Sequence, residues 1–312
     1  MINPTLRDAF WDKIYEIARK DRNVVVVSED MGAPSLDKFR TDLPNQFINV
    51  GIAEQQGLLL ASGMAMEGKR PFVYAIAPFV TLRCLEQIRV ANGIMNIPVT
   101  LVGVGPSFGY DDSGPTHHLI EDIAVMRAFP NIVTHVPSDS VMSEALAEMS
   151  CTMAVTNYVR LDRHPLPPVH KHGTDFSMGF VPLIDGGKTC ILACGIMVQK
   201  ALDVARRINK GSSKAVGVID LFSIPANESA LIKQIKRYNK LVTLEEHFLP
   251  GGLGSYVLET LNNNEIAIPV KRIGLEHSRG YCYVYGGREY IHKYYGVTTN
   301  DVERLVRQHL RK

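Results

Sequence analysis

Short apolar, β-branched runs alternate with segments of helical period along most of the chain. The runs at 24–27, 72–75, 99–103, 132–136 and 158–161 predict strands buried on both faces, and 47–50 predicts a further short strand. Segments 6–19, 54–67, 81–92 and 140–150 place apolar residues at helical spacing and predict the intervening helices. This alternation is the signature of a mostly parallel, doubly wound α/β sheet with helices on both faces.

The pattern stops between 162 and 188, where Pro165, Pro167, Pro168, Gly173, Gly179, Gly186 and Gly187 crowd together with His164, His170 and His172. That stretch predicts a linker. Periodic order resumes with strands at 190–194, 216–220, 241–244 and 270–273, separated by helical segments at 199–209 and 228–238. Two doubly wound domains are expected, the first over 1–172 and a smaller second over 185–312. The aromatic block Tyr281-Cys-Tyr-Val-Tyr-Gly-Gly287 has few basic neighbours, so interface packing explains it better than a stacking site for bases.

Composition narrows the function classes. Of 312 residues, 46% are hydrophobic, and 34 basic side chains face 32 acidic ones for a net charge of +2, with no long charged run. Nothing here marks a nucleic-acid-binding or membrane-surface protein. The N-terminus lacks a basic start and an apolar core, and no stretch reaches the ~20 apolar residues that span a bilayer. A cytoplasmic protein is the expectation. Cys84, Cys151, Cys190, Cys194 and Cys282 are scattered, without a C-x-x-C pair or paired Cys/His spacing. They read as reduced, buried thiols, which leaves neither a zinc nor an iron-sulfur site, and no metal ligand is assigned to this chain.

Candidate chemistry concentrates at two places. Phe47-Ile-Asn-Val-Gly-Ile-Ala-Glu-Gln-Gln-Gly57 sets Glu54 where a short strand turns into a helix rich in small apolar residues. A first-turn glutamate suits the helix dipole, but burial among apolar neighbours is costly without a specific partner. Gly109-Tyr-Asp-Asp-Ser-Gly-Pro-Thr-His-His118 is a loop dense in titratable groups just past the carboxyl end of a predicted strand, where open α/β sheets bind ligands. Adjacent histidines diverge, so substrate contact fits this loop better than metal ligation. Other fragments fail. Gly187-Lys-Thr189 lacks the upstream glycine of a phosphate cradle, and Gly103-Val-Gly105-Pro-Ser-Phe-Gly109 has the wrong spacing for a dinucleotide fingerprint. The glycine turn 251–255 is most simply the tight packing of a helix start.

Gly51-Ile-Ala-Glu-Gln55, Gly114-Pro-Thr-His117, Arg127-Ala-Phe-Pro-Asn131, Tyr158-Val-Arg-Leu-Asp-Arg163 and Leu244-Glu-Glu-His-Phe-Leu-Pro-Gly-Gly-Leu-Gly-Ser255 together resemble the second half of transketolase, in order and spacing over nearly the whole chain. They resemble 1-deoxyxylulose-5-phosphate synthase less closely. The resemblance implies a thiamine-diphosphate pyrimidine-binding domain over 1–172 and a transketolase C-terminal domain over 185–312.

For chemistry the resemblance implies that Glu54 hydrogen-bonds a ring nitrogen of the aminopyrimidine, so that the exocyclic nitrogen becomes a base for the thiazolium C2 proton. Phe79, with Ile76 and Leu82, matches the apolar wall against the pyrimidine, and Asp30 an acidic residue at the cofactor edge. On the substrate side, His117 corresponds to a histidine contacting sugar oxygens and Arg163 to an arginine gripping the phosphate. Arg7 and Ser35 fall near further phosphate contacts. The sequence departs from the pattern at Ser113, where the family has an aspartate reading a donor hydroxyl, and at Gly105, where it has a phosphate-binding histidine. The Gly-Asp-Gly motif that holds the diphosphate through Mg2+ or Ca2+ is also missing. The expectation is therefore the small, C-terminal subunit of a split transketolase, paired with an N-terminal subunit that holds most of the metal, in an α2β2 heterotetramer acting on sugars. A 2-oxoacid dehydrogenase beta subunit is the nearest competing reading, and a non-catalytic partner subunit a third.

Overall fold

The computed structural model describes residues 4–210 and 215–311. The chain divides into two compact units, one of 1–110 with 116–172 and one of 111–115 with 173–312.

The first unit is built on β1 (Val24–Ser28), β2 (Phe47–Asn49), β3 (Arg70–Ile76), β4 (Thr100–Val104), β5 (Ile132–His135) and β6 (Thr156–Leu161). They pair in the order β5-β6-β4-β3-β1-β2, every pair parallel. Residues of β1, β4 and β6 are buried throughout, as expected when helices cover both faces, and β6 buries Asn157 and Arg160 among its apolar residues. Helix α1 (Leu6–Ala18) starts at Thr5, whose hydroxyl accepts the Asp8 N–H, and buries Phe10 and Trp11 against Phe72 and Tyr74 of β3. Helix α2 (Pro34–Asp42) follows β1, with proline at its first position.

Helix α3 (Glu54–Met66) buries Glu54, Gly57, Leu58, Ala61 and Ser62, one stripe at helical spacing. At Gly57 the helix passes close to Glu29, just after β1: a Cβ there would lie 2.8 Å from its Oε1 and would displace that carboxyl group. The apolar helix predicted as buried is covered on that stripe only: Leu59 and Met66 are 47% and 66% exposed. The helix predicted over 81–92 is also broken. Residues 77–94 form short α (α4, Ala77–Val80; α5, Leu85–Gln87), 3-10 and π turns in succession, because Thr81 leaves helical geometry (φ −113°, ψ −81°) and its hydroxyl bonds the Ala77 carbonyl; α6 (Asp122–Met126) and α7 (Ser140–Ser150) follow later in the chain.

In the second unit the strands β7 (Val181–Ile184), β8 (Thr189–Ala193), β9 (Val216–Asp220), β11 (Lys240–Phe248) and β12 (Val270–Leu275) pair in the order β12-β11-β8-β9-β7; β10 is the two-residue Ser223–Ile224. Strand β7 lies inside the stretch predicted as linker. It is a four-residue antiparallel edge strand carrying Pro182, and too short and proline-marked to show a period. Helices α8 (Met197–Asn209), α9 (Glu228–Ile235), α10 (Leu253–Asn263), α11 (Arg288–Tyr295) and α12 (Thr299–Arg311) complete the unit. The glycine turn before α10 receives a buried carboxylate: Glu245 accepts the Leu253 and Gly254 N–H groups at 2.6 and 2.9 Å, and a Cβ on Gly252 would fall 2.0 Å from that carboxylate. The turn is a capped helix start, as tight packing predicts. Next to it, Glu246 takes a two-pronged bond from Arg288 (3.0 and 2.9 Å) and a short one from His292; burial would raise its pKa, but Arg288 and His292 outweigh burial and hold it well below the usual range. All five cysteine thiols are buried, and among the described residues no helix is long and apolar enough to cross a membrane.

A buried charge cluster lies in the first unit. Asp122 accepts Arg160 Nε and Nη2 at 2.7 and 3.0 Å and the Tyr158 hydroxyl at 2.6 Å. Asp122→Ala removes the carboxylate that takes two bonds from the buried guanidinium and is expected to cost about 3–5 kcal/mol. Urea titration followed by Trp11, the only tryptophan and buried in this unit, measures it. An unchanged midpoint would refute the assignment.

Candidate active site

The carboxyl ends of β1, β2 and β3 converge on a cavity of 220 Å³ lined by Glu29, Asp30, Glu54, Ile76, Phe79 and Arg83, among others. Each side chain arrives there for a local reason. Glu54 is presented by the first turn of α3 after the β2 turn, in which Gly51 takes a positive φ of 74°. Ile76 closes β3, and Phe79 sits in the turn just after it. Asp30 adopts φ 53°, an uncommon conformation for a residue with a side chain, and its N–H is held by Asn49 Oδ1 at 3.2 Å.

Two carboxyl groups are buried at this site. Glu54 is 5% exposed and receives Arg83 Nη1 on Oε1 at 2.5 Å, while the Arg83 guanidinium lies 4.0 Å from the centroid of the Phe79 ring. Glu29 is 4% exposed, and neither of its oxygens has a hydrogen-bond partner among the described residues. Burial, then repulsion from Glu54, push Glu29 up to about 9 against the weaker pull of Arg83, so it keeps its proton at neutral pH. Sequence pattern singled out neither Glu29 nor Arg83. An acidic residue directly after the valine-rich strand, at its carboxyl end, was the available signal for the first.

Of the residues assigned to the cofactor by resemblance, Glu54, Phe79, Ile76 and Asp30 line this one cavity; Leu82 is half-buried in the next turn and is not among the lining residues. His117 packs edge-on against Phe79 with centroids 5.4 Å apart, and Thr116 Oγ1 lies 3.1 Å from its Nδ1. Arg163, after β6, lies over the ring of Tyr110 at 4.7 Å, and Tyr110 is 5.9 Å from the His117 ring. Arg7 and Ser35 come together at the starts of α1 and α2, since Arg7 pairs with Asp8 at 3.0 Å and the Ser35 hydroxyl faces the Asp8 carbonyl at 3.4 Å. Ser113 belongs to the second unit. There its hydroxyl bonds Asp112 at 3.0 Å, and Asp111 accepts the Arg288 N–H at the start of α11 at 2.7 Å.

The cavity fits the pyrimidine end of thiamine diphosphate. An aromatic edge and an aliphatic side chain flank two buried carboxyl groups, one unpartnered and protonated, which suits a flat ring that both donates and accepts hydrogen bonds.

Glu29 ties folding to pH. In the unfolded chain it titrates at about 4.3, so between about pH 4.5 and 9 the folded state retains a proton that the unfolded state releases, and stability falls as pH rises through that window. Glu29→Gln, which mimics the protonated form, is expected to gain on wild type by on the order of 2–4 kcal/mol between about pH 5 and 8. Parallel urea titrations at the two pH values check this. A gap that does not widen with pH would mean that Glu29 ionises normally in the fold.

Comparison with known proteins gives the family. The transketolase pyrimidine-binding domain matches residues 3–168, and the transketolase C-terminal domain matches residues 181–302. The chain is 32% identical, over 98% of its length and 97% of the relative's, to a Phocaeicola vulgatus protein named as one of the subunits of apulose-4-phosphate transketolase. It is 30% identical, over 97% and 94%, to a Clostridium protein named as a subunit of 6-deoxy-6-sulfo-D-fructose transketolase. A solved structure described as a split gene transketolase, inactive beta4 tetramer, superposes with a TM-score of 0.87 at 30% identity, covering 99% of both chains. The chain belongs to the transketolase family, as the subunit of a split transketolase that carries the pyrimidine-binding and C-terminal domains and works with a partner subunit.

Proposed function

We propose that this chain holds the pyrimidine end of thiamine diphosphate and, with its partner, moves a two-carbon ketol unit from a ketose bearing a terminal oxyanion to an aldehyde. The observation that carries the reading is the Glu54 carboxyl group, buried beside Phe79 and Glu29 in the cavity of the first unit. Bound there, thiamine diphosphate supplies the centre that accommodates the negative charge left when a ketose is cleaved beside its carbonyl. Glu54, whose Oε1 accepts from Arg83, would present its carboxyl group to a pyrimidine ring nitrogen as a hydrogen-bond partner. Phe79 and Ile76 shield the ring from water, with Asp30 at the rim.

His117, packed on Phe79, orients substrate oxygens, and Arg163 grips the terminal anion, with Arg7 and Ser35 as further contacts. Ser113 takes the position that reads a donor hydroxyl, with a neutral bond where a carboxylate would give a charged one. The names of two relatives point to the same substrate chemistry, a phosphate on one ketose and a sulfonate on the other. The domains run over 1–172 and 185–312, with β7 just ahead of the second and paired onto the edge of its sheet. Mg2+ or Ca2+ and the diphosphate are held by the N-terminal partner, and an α2β2 assembly covers Ile52, Leu59, Ile94 and Met95, which this chain leaves exposed.

Two outcomes test the reading. Calorimetry on this chain alone with magnesium is expected to show weak thiamine diphosphate binding and no ketol transfer; micromolar affinity without a partner contradicts the divided site. In the reconstituted complex, Glu54→Gln is expected to fold and to lose about two to four orders of magnitude in turnover. A variant that keeps a tenth of wild-type activity would reduce Glu54 to a helix-start residue.

A further inference from the structure

After β4 the chain folds back on itself through two glycines in contact. A Cβ on Gly109 would lie 2.5 Å from Gly105 Cα, and a Cβ on Gly105, whose φ is +70°, would lie 2.2 Å from Cε2 of Tyr110. Only glycine at both positions lets the Tyr110 ring occupy the space over residue 105. The fold-back is pinned by the Ser107 and Leu119 backbones, which exchange hydrogen bonds of 2.8 and 3.1 Å.

The ring placed this way has two neighbours of chemical weight. The Arg163 guanidinium lies over it at 4.7 Å, and the His117 ring stands 5.9 Å away. His117 in turn meets Phe79, which lines the carboxyl-bearing cavity. Tyr110 therefore sits in a row, Phe79, His117, Tyr110, Arg163, that leads from the cavity to a cation. A guanidinium stacked on an aromatic face keeps its N–H donors in its own plane, in the fork that takes a phosphate or sulfonate through two parallel bonds. An arginine without such a face loses more side-chain freedom on gripping the anion.

We propose that Tyr110 is a positioning residue for anion recognition: by filling the space over Gly105 and seating Arg163, it makes the enzyme select substrates with a terminal phosphate or sulfonate over neutral ones. This rests on the reading of Arg163 as the anion grip.

The test uses the reconstituted complex, with D-glyceraldehyde 3-phosphate and D-glyceraldehyde as acceptors at saturating donor. Tyr110→Ala is expected to raise KM for the phosphorylated aldehyde about tenfold, with kcat within about twofold and KM for the neutral aldehyde unchanged. Tyr110→Phe, which keeps the ring, is expected to restore KM to within about twofold. Tyr110→Leu fills the space over Gly105 without a π face, so it is expected to show the same selective rise, and it decides the matter if the alanine variant does not fold. An equal rise for both aldehydes, or no rise, overturns the proposal. Arg163→Ala separates the two levels: if it spares the preference for the phosphorylated aldehyde, the anion grip itself is refuted, whereas if it abolishes the preference while Tyr110→Ala is silent, only the role of Tyr110 falls.

Discussion

Burying two carboxyl groups at one edge of a parallel sheet is the constraint around which the first unit is arranged. Glu54 meets it with the Arg83 guanidinium, itself laid on the Phe79 ring. Glu29 meets it by keeping its proton, because it is buried, none of the described residues hydrogen-bonds its oxygens, and a second charge beside Glu54 is disfavoured. The two solutions depend on each other. At Gly57 α3 comes so close to the Glu29 carboxyl group that a Cβ would lie 2.8 Å from its Oε1, in the same turn that presents Glu54.

The sheet makes this concentration possible. Six parallel strands joined by crossovers bring the loops after them to one edge. Glu29 and Asp30 follow β1, Glu54 follows β2, Phe79 follows β3, Tyr110 follows β4 and Arg163 follows β6. Residues from five separate stretches of chain thus meet, Tyr110 and His117 on the long 105–121 segment that follows β4. Strand burial on both faces keeps that edge in place, and the Asp122, Arg160 and Tyr158 cluster ties β6 to the segment after the His117 loop.

The second unit shows carboxylates used for structure. Glu245 closes the start of α10, and Glu246 clamps α11 through Arg288 and His292. Asp111 caps α11 from the short segment that groups with this unit, which is how Ser113 comes to be carried by the second unit while His117, four residues on, is carried by the first. Glycine-rich turns in α/β proteins invite a phosphate reading; here the donors of that turn are already occupied by a buried glutamate.

The sequence alone determined the alternating α/β plan, the placement of Glu54 at a strand-to-helix turn and the density of titratable groups in the 109–118 loop, because side-chain periodicity and turn residues are local properties. Its motifs also sufficed for the transketolase family. Strand β7 escaped it, since four residues with a proline on an antiparallel edge carry no period, and the 81–92 segment misled it, since an apolar pattern does not reveal that Thr81 leaves helical geometry. Tertiary structure alone decided that Glu29 stands unpartnered beside Glu54, that Arg83 is the cation on Glu54, that Leu82 lies off the cavity and that the Tyr110 ring covers Gly105 beneath Arg163. Each depends on distances between residues far apart in the chain or on the volume a missing Cβ leaves, and neither quantity is written in any single stretch of sequence.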